Sequence, residues 1–240
     1  CSNFYSVAEL LPRLGLNVWS NPKLRKMADI GRDLTVAGKF SPSIGDSGRL
    51  TGTSPIALTP DLQGTAFMQY RDPKYARMLK DMGASSGALM EDYFDAAAVE
   101  KAAEGVTLPE LKTRNLGGYG CAILETGAKG RERALSMYYG DAGGGHGHFD
   151  RLNVEMFSHG RVVMPEDGYP TPFTRPDFHE WRRSNTYRHY CVLVDELPQM
   201  TYEAGDLEML VGTPGVQVVE ASAERAYPEV ATLYRRTSAL

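Results

Sequence analysis

Two periods divide this chain. Through about residue 105, apolar positions recur every three or four residues: Val7, Leu10, Leu11 and Leu14, then Leu24, Met27, Ala28 and Ile30. That spacing predicts amphipathic helices. Pro12 falls inside the first pattern and implies a kink or a restart. Asn21-Pro22 and Asp72-Pro73 each pair a capping side chain with a proline suited to the first helical turn, so helices are expected from residue 22 and over 72–80. A weaker helical pattern covers 89–103. Between them, 41–60 is dense in Ser, Pro, Gly and Thr and reads as a long loop, within which Ile44-Gly-Asp-Ser-Gly48 is compact enough to be a fixed turn. From Leu116 the period falls to two. Short strands are expected at 119–124, 134–139, 149–157, 161–164, 189–194, 216–219 and 230–234, separated by Gly, Pro, Asp and Asn. Ser158-His159-Gly160 reads as a hairpin turn. Helices followed by antiparallel strands make an α+β chain, with a helical part over 1–112 and a sheet part over 113–240.

Composition narrows the class. With 240 residues, 42% hydrophobic and 23% charged, the chain fits one large domain or two modest ones. A net charge of −4 gives no global basic footprint, so nucleic acid is not an expected partner. An acidic polymer would need a local basic patch. No apolar run approaches the roughly 20 residues of a membrane span, and no signal segment opens the chain. The first residue is Cys1, and the chain reads as an internal stretch of a longer protein. Three cysteines make no disulfide framework; Cys121 and Cys191 lie in apolar runs, where buried free thiols are the expected reading.

The chemistry concentrates between residues 140 and 195. Four glycines precede His146-Gly-His148, a strand pattern and a hairpin follow, and Asp167 stands beyond the hairpin. On an extended segment His146 and His148 would face the same way. Together with Asp167 and His189 they could supply a zinc shell; the alternative is two loop histidines and one satisfied strand histidine. His159 reads as a solvated turn residue and His179 as a loop residue. Arg182, Arg183 and Arg188 form a basic cluster, either a solvated face or contacts to a polyanion. Tyr138, Tyr139, Tyr169, Tyr187 and Tyr190 gather in the same region, as packing or as the aromatic wall of a sugar cleft. The substrate-contacting candidates are Arg182, Arg188 and Tyr169.

Gly145-His-Gly-His-Phe-Asp150, Asp167-Gly-Tyr-Pro170, Trp181-Arg-Arg-Ser184 and His189-Tyr-Cys-Val-Leu-Val-Asp195 with Gln199 together resemble the heparinase II/III-like polysaccharide lyases. Ile44-Gly-Asp-Ser47, Tyr119-Gly-Cys-Ala-Ile-Leu124 and the stretch from Tyr227 to Thr237 fit the same resemblance, which covers most of the chain from about residue 40. It implies the end of an (α/α) toroid followed by the first strands of an antiparallel β-sandwich. It further implies β-elimination on a uronate-containing acidic polysaccharide and a periplasmic or secreted location, and it leaves self-association open. His146 matches the family's active-site histidine, and His148, Asp167 and His189 match its zinc ligands, with zinc in a structural role. The family's catalytic tyrosine is expected a few residues ahead of Cys1, and Tyr5 is the candidate nearest that place. A zinc-stabilised carbohydrate-binding module and a zinc hydrolase are the alternatives.

Overall fold

The computed structural model describes residues 2–47, 59–83, 95–128, 130–142, 146–166 and 186–240. The chain forms two compact units, one of Cys1–Leu34 with Pro55–Glu110 and one of Thr35–Ser54 with Leu111–Leu240. The stretch expected to be a loop of the helical part is thus split, and its first half belongs to the sheet unit.

The helical unit contains α1 (Ser2–Leu10), a 3₁₀ turn (Leu11–Leu14), α2 (Pro22–Asp33), α3 (Pro60–Tyr70), α4 (Pro73–Asp81) and α5 (Ala96–Ala103). Pro12 ends the α-helical geometry, and Gly15 closes the 3₁₀ turn at φ 77°. Asn21, Asp72 and Asp95 each accept a backbone N–H in the first turn of the following helix, relieving the orphan donors there. Sequence reading missed α3, which starts at Pro60 under a Thr59 cap, because the Thr-Pro pair sits at the end of a loop-like composition. Its Leu62, Ala66 and Phe67 pack with Tyr5, Ala28, Tyr75 and Leu79 in one core.

The sheet unit holds β1 (Arg114–Leu116), β2 (Cys121–Thr126), β3 (Arg133–Tyr138), β4 (Asn153–Ser158), β5 (Arg161–Met164), β6 (Asp206–Gly212), β7 (Gln217–Ser222) and β8 (Arg235–Ala239). β1 to β5 form an antiparallel meander in chain order, and β6 to β8 form a second. His159 and Gly160 take φ 51° and 71° in the β4–β5 turn, the positive values that a tight two-residue hairpin needs. The two sheets share a core: Ala122, Leu124, Leu135 and Met137 from the first meet Val219 and Ala221 from the second. Each of the larger side chains buried there stabilises the unit by about 1.5–3 kcal/mol.

The alternate residues of the first sheet are buried as well. Cys121, Ile123, Ala134 and Phe157 lie under Val36, Ala37 and Phe40. A sheet covered on both faces explains why β2 reads as an unbroken apolar run. The covering stretch is held by side chains of the sheet. Glu125 accepts from the Ala37 N–H at 2.9 Å and Glu155 from the Ser43 N–H at 2.6 Å, while Arg114 donates to the Thr35 carbonyl.

Two expected strands are not formed. Residues 189–194 follow a 3₁₀ turn (Thr186–Arg188) and make only an isolated bridge from Val194 to Leu197. Tyr190 N–H is taken by the Asn153 side chain at 3.0 Å, so this segment is pinned by side chains rather than by a ladder. The strand expected at 230–234 begins instead at Arg235. β1 and β6 were not anticipated. Cys121 and Cys191 are free thiols.

Candidate active site and metal centre

The connection between β3 and β4 carries the chemistry. His146 and His148 lie in turn and coil, not on a strand, and β4 begins only at Asn153. The expectation that strand alternation would align the two rings is therefore incorrect. They are aligned by the turn at Ile44–Ser47. Asp46 Oδ2 lies 3.0 Å from His146 Nδ1, and Asp46 Oδ1 lies 3.0 Å from His148 Nε2. The Asp46 N–H donates to the His146 carbonyl at 2.8 Å, and the Gly45 N–H points at Asp150 Oδ2 at 3.4 Å. Gly45 has φ +58°, and a Cβ there would come within 2.3 Å of the His146 oxygen. Only glycine permits that approach.

The two rings have opposite surroundings. The His146 side chain is 81% exposed, whereas that of His148 is 2% exposed. Burial lowers the His148 pKa, against the opposing pull of Asp150 and Asp46, so its imidazole is held neutral, the form that ligates metals.

His148, Asp150 and His189 are all buried, and each offers one ligand atom within 4.8 Å of the others. His148 Nδ1 and Asp150 Oδ1 are buried without a hydrogen-bond partner among the described residues. Buried polar atoms left in that condition cost stability unless something such as a cation satisfies them. The His148 and His189 rings are 5.3 Å apart. His189 Nδ1 stands 3.0 Å from Glu166 Oε1, and Glu166 Oε2 accepts from Asn153 Nδ2 at 3.0 Å. His148 thus turns Nε2 to the Asp46 carboxylate and keeps Nδ1 toward the cluster, the usual outer support of a histidine ligand. Burial raises the Asp150 carboxyl above its ordinary range, countered by His189 and His148; a cation would favour its ionised form.

Of the expected ligands, His148 and His189 converge, and Asp150 stands with them. Asp167 lies outside the described residues, as do Tyr169 and Arg182. Arg188 is half-buried in the 3₁₀ turn before His189. Tyr5 requires a correction: it is fully buried in the helical unit and its hydroxyl donates to the Leu24 carbonyl at 2.6 Å. Burial also drives its pKa upward. A phenol so enclosed packs; it does not meet a substrate. Sequence reading also missed the role of Asp46, although Ile44–Gly48 stood out as a fixed turn. A short acidic turn a hundred residues upstream carries no spacing signal toward a histidine pair.

A cavity of about 410 Å³ lies beside the loop, with His146, His148, Asp150, Tyr119 and Tyr139 in its wall. Its size is in the range of small-molecule sites.

Residues 110–229 match the family described as heparinase II/III-like, C-terminal. No curated protein matches the sequence. Among solved structures, a heparinase III superposes with a TM-score of 0.67 at 15% identity, covering 99% of this chain and 36% of its own. A heparan sulfate lyase from Pedobacter heparinus gives 0.57 at 14% identity over 87% of this chain and 29% of its own. A further heparinase III gives 0.55 at 14% identity, over 86% and 28%. The chain therefore spans about a third of the length of the solved structures it resembles, and at such identities the likeness is one of fold.

Proposed function

Because the chain belongs to the heparinase II/III-like family, we propose that it is part of a polysaccharide lyase that cleaves a uronate-containing acidic polysaccharide by β-elimination. The observation that carries this reading is the division of labour in one loop. His146 is exposed and anchored through Nδ1, while His148, two residues on, is buried among metal-ligand candidates.

In β-elimination a base removes the proton at C5 of the uronate. The electron pair of that C–H bond becomes the C4–C5 double bond, and the C4–O4 bond breaks. The leaving oxygen takes up a proton from an acid. With Nδ1–H donated to Asp46, His146 offers the Nε2 lone pair on the open side of the ring, suited to carrying one of these protons. Among the described residues none is assigned as the second proton carrier or as the group that neutralises the uronate carboxylate.

His148, Asp150 and His189 would hold a divalent cation, and two imidazoles with a carboxylate suit zinc. Bound there, the cation would fix the loop that presents His146. Burial of all three residues supports a structural metal over a hydrolytic one, since a catalytic zinc keeps a position open to water and substrate. Among the described residues no helix is long and apolar enough to cross a membrane, and a periplasmic or secreted location fits a polymeric substrate. One structural neighbour is a heparan sulfate lyase, which supports the acidic polysaccharide class.

The test is product chemistry. The full-length protein incubated with heparan sulfate, and separately with alginate, should release oligosaccharides whose C4–C5 double bond, conjugated to the carboxylate, gives them an ultraviolet absorbance that the substrate lacks. New reducing ends without that absorbance would indicate hydrolysis, and binding without either would indicate a carbohydrate-binding module.

A further inference from the structure

We propose that Asp46 is a positioning residue that orients two histidines at once: its Oδ2 fixes the tautomer of the proton-carrying His146, and its Oδ1 fixes that of the metal-facing His148. The inference rests on the lyase reading for the function of His146, but not for the geometry.

Asp46 is built for this task. Its side chain is 4% exposed and lies 3.0 Å from a nitrogen of each ring. A carboxylate accepts hydrogen bonds only. Both facing nitrogens must therefore carry hydrogen, His146 at Nδ1 and His148 at Nε2, and both remaining nitrogens hold lone pairs. For His148 that lone pair is on Nδ1, the buried atom without a hydrogen-bond partner among the described residues. For His146 it is on Nε2, on a ring that is otherwise mostly in solvent.

The turn bearing Asp46 is itself rigid. Ile44 N–H donates to Ser47 Oγ at 2.9 Å, and Ser47 Oγ donates back to the Ile44 carbonyl at 2.6 Å. The Asp46 N–H grips the His146 carbonyl, so the histidine is held at both backbone and ring. An exposed ring held by nothing else would sample its rotamers freely. Held at Nδ1, it spends its time in the geometry a reaction needs, which is where orientation contributes to rate.

The experiment is Asp46→Asn in the full-length protein, which keeps the shape but presents an amide. An amide N–H₂ cannot accept from an imidazole N–H, so at least one ring must change tautomer or lose its partner. The expected result is a fall in kcat of roughly 10²–10⁴-fold, with KM within about threefold, as for a group acting only in the transition state. Zinc affinity, measured by chelator competition, should fall by about 10–100-fold. Saturating zinc should refill the site without restoring kcat. Recovery of kcat at saturating zinc would overturn the proposal, since Asp46 would then act only through the metal ligand.

Two further readouts keep the inference testable. In a His146→Ala background, Asp46→Asn should cost little additional rate; full additivity would contradict action through His146. Imidazole ¹⁵N shifts of His146, identified by loss of its signals in His146→Gln, should report an Nδ1–H tautomer in the wild type and a different state in Asp46→Asn. If the wild type makes no unsaturated product, the lyase reading fails while these shifts still decide the role of Asp46. An unchanged tautomer would overturn it.

Discussion

At the scale of single residues, the site contrasts buried carboxylates with one exposed imidazole. Asp150 and Glu155 are almost fully buried, and they answer to different partners. Asp150 faces the histidines, and Asp150→Asn should lower both zinc content and Tm, because it removes a ligand and a site that binds only when folded. Zinc per chain by elemental analysis, read beside the melting curve, checks this. Equal zinc content in variant and wild type would remove Asp150 from the shell. Glu155 accepts from Ser43 N–H, and burial, with Glu166 and Asp150 adding, raises its pKa well above the ordinary value. A raised carboxyl favours the folded state while protonated. That contribution is present below the unfolded pKa and is lost as pH rises through the folded one. Glu155→Gln keeps an acceptor for Ser43 without the charge. It should raise Tm at neutral pH by roughly 2–4 °C per kcal/mol regained and flatten the decline of Tm from pH 4.5 upward. An unchanged pH profile would show that Glu155 is not desolvated as described.

At the scale of elements, the turn at Ile44–Ser47 and the β3–β4 connection form one unit although a hundred residues separate them in sequence. Gly45→Ala would place a methyl against the His146 carbonyl and force φ +58° on an L side chain. Activity should fall sharply, and stability by at least about 1 kcal/mol, the cost of a residue held in the left-handed region. A variant with wild-type melting and turnover would mean that the turn does not clamp the loop. The helices were legible where a cap and a proline met a clear apolar stripe, as at Asn21-Pro22 and Asp72-Pro73. α3 was not, because Thr59-Pro60 closes a run of loop-forming residues and the helix is buried on most sides, leaving little periodicity. Strands in the covered sheet were legible as apolar runs. β1 and β6, at sheet edges, were not, since few of their side chains are buried. The segment at 189–194 has strand-like composition, but Asn153 takes the Tyr190 N–H, and a side-chain partner of that kind leaves no mark on local pattern. The histidines of the candidate metal cluster stood out through motif resemblance; Asp46, joined to them only by folding, did not.

At the scale of the whole molecule, the chain combines a helical unit with a two-sheet unit that contains the described site residues His146, His148, Asp150 and His189. The exposed histidine and the buried triad are assigned separate duties there, proton transfer and loop fixation. A protein that relied on metal chemistry would lose activity only as it lost metal. The most direct measurement is therefore the initial rate at which full-length His146→Ala forms the ultraviolet-absorbing unsaturated product, with zinc per chain determined on the same sample. The account predicts wild-type zinc content and a rate lower by roughly 10²–10⁴-fold. Wild-type turnover at full zinc content would contradict it, leaving His146 as a loop residue with no part in the reaction.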